Sequence, residues 1–433
     1  MIFNVKNFVN QNKVVMSGAL FSLFSFINKG LIFLLLLVLA NYIGPTEYGY
    51  LSFFSTLLTV LGFVIALCSE GYLSFSYFRE GDYGIRESCS SSSYITLLLG
   101  FVLFFLTIVF GDFFEKILHL DKVITCCGIL ISMFTIYFNL HLNILRVKEE
   151  IGHYGLLSVL NAVLNFLLSV ILVSSLCLGW KGRVYANLIC CLGFGFFSLH
   201  FLFKKKYLCA PSRLYLKKVL LWSLPLIPHS AVTFIRQGLD RYIVEYNYDM
   251  TDVGLFSFAM NMANIIVMIG IGFNQSNSVD ISKVLGNNSM TGKEKVQALK
   301  LQRHKLLMVY LVSSLIIMIS VYFFVPVFMP KYTGANNMFI ILSIQGFLCC
   351  FYFLYTNYLF FYSRTKEIMY VTFGSSIFHL IMSLFLTPYS IYLTCLVYVL
   401  SQSFICISIY IMAKKELKKQ LLNKELCYER DYI

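Results

Sequence analysis

Two rows of polar and charged residues run along one apolar stretch of this chain. His229, Thr233, Arg236 and Asp240 recur at helical spacing, and Ser230, Gln237, Arg241 and Glu245 form a second row beside them. A guanidinium offers a planar fork of donors that binds phosphate bidentately, whereas an ammonium binds it as a point charge. Lys29 ends a similar row with Gly18, Ser22 and Ser25 in the first apolar run. Neutral rows follow elsewhere: Ser158, Asn161, Asn165 and Ser169, then Ser257, Asn261, Asn264 and Gln275, and also Asn139, Asn143 and Arg146. Amides and hydroxyls suit a sugar, whose hydroxyls each cost about 4–8 kcal/mol to move unpaired into hydrocarbon. The chemistry open to such a set is the binding of an anionic, hydroxyl-rich molecule. Each row also has a purely structural reading: interhelical hydrogen bonds for the amides, an i,i+4 ion pair for Arg236 with Asp240, and snorkelling for Lys29.

The elements that position these rows must cross a membrane. Of 433 residues, 58% are hydrophobic and 13% charged, against about 25% charged in ordinary soluble domains. No soluble surface could hide so much apolar area. The net charge of +13 would suit a nucleic-acid binder only if it formed one soluble basic face, and it is scattered between apolar runs. The cysteines sit mostly inside those runs, with pairs at 126–127, 190–191 and 349–350 and no C-x-x-C spacing. They read as small buried hydrophobes, so neither a metal site nor a cofactor is expected.

A membrane-crossing helix needs about 20 mostly apolar residues. That window predicts twelve spans, near 15–43, 48–77, 91–111, 123–145, 154–178, 183–203, 219–247, 253–280, 306–329, 335–362, 367–387 and 390–413. The first run, preceded by Lys6 and Lys13, is too long for a signal-peptide core and should remain as a span. With the N-terminus in the cytoplasm, inward loops and tails hold 26 of the 34 Lys and Arg residues. Outward loops hold five (Lys116, Lys122, Lys181, Arg183 and Lys331), and Lys29, Arg236 and Arg241 lie inside spans. Cytoplasmic loops are enriched in basic residues, so both termini are expected inside. The longest inward loops, near 204–218 and 281–305, are basic and suit an anionic leaflet. No loop is large enough for a soluble catalytic domain.

An internal echo divides the chain. TEYGYLSF (46–53) and TDVGLFSF (251–258) lie 205 residues apart and each opens the second span of a six-span half. Six spans per half keep both copies in one orientation, as parallel repeats about an axis along the membrane normal. The expected organisation is an N-terminal lobe at 1–206, a linker at 207–218, a C-terminal lobe at 219–413 and a charged tail at 414–433, with a cleft between the lobes. The fold class is an all-α integral membrane protein.

The run Ile43-Gly44-Pro45-Thr46-Glu47-Tyr48-Gly49-Tyr50 resembles the turn after the first helix of polysaccharide and O-antigen flippases of the Wzx type. These belong to the multidrug/oligosaccharidyl-lipid/polysaccharide (MOP) exporter superfamily. Leu224-Pro225-Leu226-Ile227-Pro228-His229, Asp240-Arg241-Tyr242-Ile243 and Val253-Gly254-Leu255-Phe256-Ser257 resemble the same family's pattern across helices seven and eight. One departure is the stretch 274–280, which lacks the usual proline and leaves the bend of helix eight in doubt. The resemblance implies a MATE-like fold with alternating access, in a bacterial inner-membrane protein that carries undecaprenyl-pyrophosphate-linked oligosaccharide to the outer leaflet, driven by an ion gradient. It implies membrane lipids, a polysaccharide polymerase and a chain-length regulator as partners. By position, Lys29, Arg236 and Arg241 become candidates for the pyrophosphate and Asn161, Asn165, Asn261 and Asn264 for the saccharide. Asp240, Glu70 and His229 become candidates for ion coupling or gating.

Two rivals stay open at this point. A drug/cation antiporter of the same superfamily would favour acidic cavity residues, and a membrane-embedded polymerase would carry a sizeable external loop. If the mid-span cations bind the substrate, Lys29→Ala and Arg236→Ala should each depress glycan export while the protein still inserts. Normal export by both variants, measured beside membrane levels of the protein, would remove them from the site.

Overall fold

In hydrocarbon an unpaired backbone N–H or C=O costs several kcal/mol, so long apolar runs must close their hydrogen bonds as helices. A computed structural model describes residues 5–287 and 289–422, and the side chains of these except 5–19, 22, 229, 233, 237, 421 and 422. The chain is 90% helical, without a strand among the described residues. It divides into two compact units, Met1–Phe234 and Ile235–Ile433.

In the first unit α1 spans Val5–Tyr42, α2 Pro45–Ala66, α3 Tyr72–Glu80, α4 Asp82–Val109 and α5 Gly111–Leu118. There follow α6 (Lys122–Val147), α7 (Ile151–Val170), α8 (Gly179–Lys204) and α9 (Arg213–Ser223). Helix α10 (Ile227–Gln237) carries the chain across the division. The second unit holds α11 (Leu239–Asn247), α12 (Met250–Gly286), α13 (Gly292–Phe328), α14 (Asn336–Phe361), α15 (Thr365–Leu386) and α16 (Ile391–Leu417). Among the described residues twelve helical stretches are long and apolar enough to cross a membrane, and each overlaps one of the runs read from the sequence.

The outward faces are what lipid requires. Leu98, Phe101, Phe105 and Ile108 are exposed along α4, and Val312, Ile316, Ile319 and Phe323 along α13. Rows of this size are not left bare in water. Within the second unit, Ile266, Tyr310, Cys350, Tyr358, Ile405 and Ile409 pack into one core. The described cysteines are free thiols, with Cys89, Cys127, Cys190, Cys350, Cys395 and Cys406 buried.

Two expectations need correction. The run 48–77 is not one helix: α2 stops at Ala66, and a turn of 3-10 helix at Ser69–Gly71 leads into α3. The loop expected at 281–305 is mostly helix, because α12 and α13 extend toward each other. Thr291 and Glu294 form a capping box at the start of α13, and Lys295 Nζ donates to the Leu285 carbonyl at 2.9 Å. The seventh span is in pieces. Pro225 sits in a 3-10 turn at Leu224–Leu226, and Gly238 separates α10 from α11. Helix α12, whose bend was in doubt, runs unbroken for 37 residues.

The repeat has equivalent burial in both copies. Thr46 and Thr251 are each the second residue of their helix, Gly49 and Gly254 are buried, and Phe53 and Phe258 are 0% and 1% exposed. Phe258 stacks on Tyr332 with ring centroids 4.3 Å apart.

At the other end of the first unit, Lys148 Nζ lies 2.7 Å from Asp82 and donates to the Tyr207 hydroxyl at 2.7 Å. Burial opposes the charge on Lys148, but these two partners leave its ammonium above the usual lysine range. Next to this tie, Ser76 Oγ donates to the Gly84 carbonyl at 3.1 Å. A methyl group at Gly84 would strike the Ser76 carbonyl. Gly84→Ala should therefore cost about 1–3 kcal/mol and lower the unfolding midpoint. Gly193→Ala, where no atom lies within 4 Å, should leave the midpoint unchanged or raise it.

Candidate functional site

Helices α1, α2, α6, α7 and α8 enclose a cavity of about 470 Å³ within the first unit. Its apolar wall includes Leu31, Ile32, Leu35, Ile131 and Phe166, but the rest is amide-rich. Asn28, Asn139, Asn161, Asn165 and Asn187 all line it, with Ser132, Thr135, Ser158 and Tyr154. Among the lining residues Arg183 is the single base and Glu70 the single acid. Asn165 and Ser169 stand one turn apart on α7, and Arg183 reaches across from the first turns of α8 to both. Its Nη1 donates to Asn165 Oδ1 and, at 2.8 Å, to Ser169 Oγ. Asn165 Nδ2 in turn donates to Asn187 Oδ1 at 3.0 Å. The guanidinium is thus fixed by neutral acceptors that leave its charge uncompensated.

Glu70 comes from the 3-10 turn between α2 and α3. Its Oε2, like Asn28 Oδ1, is buried without a hydrogen-bond partner. Two unpaired acceptors in one polar cavity are costly unless a donor or cation visits them. The cavity therefore presents a fixed cation, a ring of amides and spare acceptors. That arrangement can hold a molecule bearing both an anionic group and hydroxyl donors.

A second cluster is buried in the other unit. Asp240 on α11 and His379 on α15 are both 0% exposed, with Asp240 Oδ2 2.7 Å from His379 Nε2. His379 Nδ1 lies 3.0 Å from Ser401 Oγ on α16. Tyr398 meets the imidazole edge-on at 4.5 Å. Arg236, on the neighbouring α10, donates from Nη2 to Gln402 Oε1 at 3.1 Å. The break at Gly238 lets consecutive parts of one span send Arg236 toward α16 and Asp240 toward α15.

Comparison with known proteins identifies the architecture. A family model described as polysaccharide biosynthesis protein matches residues 14–279. The chain belongs to that family. A protein of the Lsg locus of Haemophilus influenzae is 25% identical over 346 residues, which cover 78% of this chain and 82% of that protein. An uncharacterized membrane protein of the same organism is 22% identical over 364 residues, covering 80% and 84%. Among solved structures, an inward-facing multidrug-resistance MATE transporter of the MOP superfamily superposes with a TM-score of 0.70 at 14% identity, over 92% of this chain and 96% of that one. A MOP-superfamily transporter from Pyrococcus furiosus gives 0.60 at 14% identity over 93% and 95%. This member of the polysaccharide biosynthesis protein family is therefore a multi-pass membrane protein with the fold of MATE transporters.

The residues picked from the sequence fall in several places. Asn161, Asn165 and Glu70 line the first unit's cavity. Lys29, one residue from the cavity-lining Asn28, is exposed. In the second unit Arg236 and Asp240 join the buried cluster. Arg241, Asn261 and Asn264 are half-buried there, and the side chain of His229 lies outside the described residues. Two residues were missed. Arg183 was counted with an outward loop, although Arg183, Asn187 and Cys191 share one helix face at four-residue spacing. His379 was overlooked, although Ser375, His379 and Ser383 repeat at the same spacing and are all buried.

If water reaches the amide-lined cavity, a cysteine at Asn161 should react with a charged, lipid-insoluble thiol reagent in a background without native cysteines. A cysteine at Leu160, on the outward face of the same helix, should not. Equal labelling of the two positions would show that the cavity is not a distinct aqueous compartment.

Proposed function

We propose that this protein is a flippase that carries undecaprenyl-pyrophosphate-linked oligosaccharide repeat units from the cytoplasmic to the outer leaflet of the bacterial inner membrane. It would serve O-antigen, capsule or related polysaccharide synthesis, upstream of a polymerase and a chain-length regulator. The observation that carries this reading is the cavity in which Arg183 is held by Asn165 and Ser169 among further amides. A saccharide headgroup cannot cross hydrocarbon because its hydroxyls would lose their hydrogen bonds, and a wall of amides replaces those bonds. Membership of a polysaccharide biosynthesis family supplies the glycan context.

In this reading Arg183, Asn161 and Asn165 engage the headgroup. Lys29, Arg236 and Arg241 are the proposed pyrophosphate residues, and Asn261 and Asn264 the further saccharide residues. Glu70 and Asp240, with His229, exchange the coupling ion. The excess of Lys and Arg in alternate loops supports cytoplasmic termini. Outward movement of negative charge from a negative-inside cell gains about 2.3 kcal/mol per charge per 100 mV, which favours the proposed direction. The role is transport rather than catalysis.

A drug/cation antiporter is the second reading, and Glu70 in the cavity is the observation that favours it. The amides and Arg183 weigh against it, since a fixed cation repels a cationic drug.

The deciding experiment measures which leaflet exposes the lipid-linked oligosaccharide in cells with and without the protein. Loss of outer-leaflet exposure on deletion, restored by the wild-type chain, is the expected result. Unchanged exposure in a strain shown to have no second flippase would end the flippase reading. Arg183→Ala removes a charged donor worth about 1.5–3 kcal/mol and should slow translocation by about 10- to 100-fold. Arg183→Lys should recover only part, because an ammonium lacks the fork that spans Asn165 and Ser169.

A further inference from the structure

The second unit buries a carboxylate and an imidazole side by side. Asp240 and His379 are 0% exposed and joined at 2.7 Å. An ionised carboxylate in such a place needs a cationic or donating partner, and histidine is the side chain whose charge changes near neutral pH. Counting protons around His379 shows that the cluster has two consistent states.

Ser401 has a single hydroxyl proton and two possible acceptors. Its Oγ lies 3.2 Å from the Tyr398 carbonyl and 3.0 Å from His379 Nδ1. If the proton goes to Tyr398, Ser401 must accept from Nδ1–H. His379 then donates from both nitrogens, as an imidazolium facing an Asp240 carboxylate. If the proton goes to Nδ1, His379 is a neutral imidazole that donates only from Nε2. The two states differ by one proton, so passing between them takes the departure or arrival of that proton together with a rotation of the Ser401 hydroxyl. The surroundings leave room for both. Asp240 Oδ1 and the Tyr398 hydroxyl are both buried, and the hydroxyl stands within electrostatic reach of that carboxylate.

We propose that Asp240, His379 and Ser401 form a proton-binding site that couples proton movement to transport, a deepening that rests on the flippase reading above. The charged and titratable groups around it come from each neighbouring helix: Arg236 from α10, Arg241 from α11, and Cys395 and Tyr398 from α16. Cys349 and Tyr352 of α14 face Arg236. With the proton bound, the Asp240–His379 pair is neutral and Arg236, held by the neutral Gln402, keeps its charge for an anion. With the proton gone, the pair carries one negative charge that competes for that arginine. Proton occupancy thereby sets how strongly Arg236 attracts a pyrophosphate.

The test uses the full-length protein in lipid nanodiscs and in proteoliposomes. Potentiometric titration of the wild type should show one proton more than His379→Gln. An infrared titration should report the matching change at a carboxylate. Asp240→Asn keeps the shape of the site and should lose the same proton, so a misfolded His379 variant does not decide the matter. In proteoliposomes loaded with lipid-linked oligosaccharide, an imposed pH gradient should change the wild-type translocation rate several-fold and leave His379→Gln unresponsive. An unchanged proton count in both variants, or a full gradient response without His379, overturns the proposal. If the proton count falls as expected but the wild type moves no lipid-linked oligosaccharide, the proton site stands and the flippase reading fails.

Discussion

The constraint on which the structure depends is that hydrocarbon offers no hydrogen-bond partner to the backbone. Every crossing segment must satisfy itself as a helix, and irregular backbone is tolerated only where protein shelters it. The second and seventh spans break, and both breaks bring chemistry to the interior. The turn after Ala66 turns Glu70 into the amide-lined cavity, and the interruption at Gly238 separates Arg236 from Asp240 so that each finds a partner on a different helix. Backbone irregularity is where this chain departs from a plain bundle, and it sets Glu70 and Asp240 in the interior.

The same constraint explains the amides. An isolated asparagine inside a membrane is a liability, so each needs a partner or a purpose. In the first unit Asn165, Asn187, Ser169 and Arg183 satisfy one another, leaving the guanidinium fixed and charged. Asn357 and Asn274 do the same between α14 and α12, at 2.7 Å, with no charge involved. The two arrangements use the same residue type for different ends. One is glue between helices, and the other positions a cation.

The fold was legible because it follows from quantities that add along the chain. Span length and loop charge are sums over many residues, and a single misread residue barely changes them. The twelve spans and the echo at 46–53 and 251–258 could therefore be read directly. Helix ends are another matter. A basic, polar stretch such as 281–305 looks like loop, yet a capping box and one lysine bonded to a carbonyl are enough to continue both helices beyond the apolar run.

The sites were less legible because they depend on pairs. Arg183 lies at the end of a span, where composition alone assigns it to a loop; only the neighbouring helix, with Asn165 and Ser169 facing it, shows that it turns inward. Asp240 invited an i,i+4 pairing with Arg236, which is the strongest pattern a single helix can offer. The break at Gly238 removes the continuous helix on which that pairing relied, and His379, 139 residues away, takes the carboxylate instead. A periodic stripe records which residues share a face and says nothing of what the face meets. Where a span is interrupted, even the shared face fails. A charged residue close to such an interruption is therefore better assigned by the partner it can reach across the bundle than by its neighbours on its own helix.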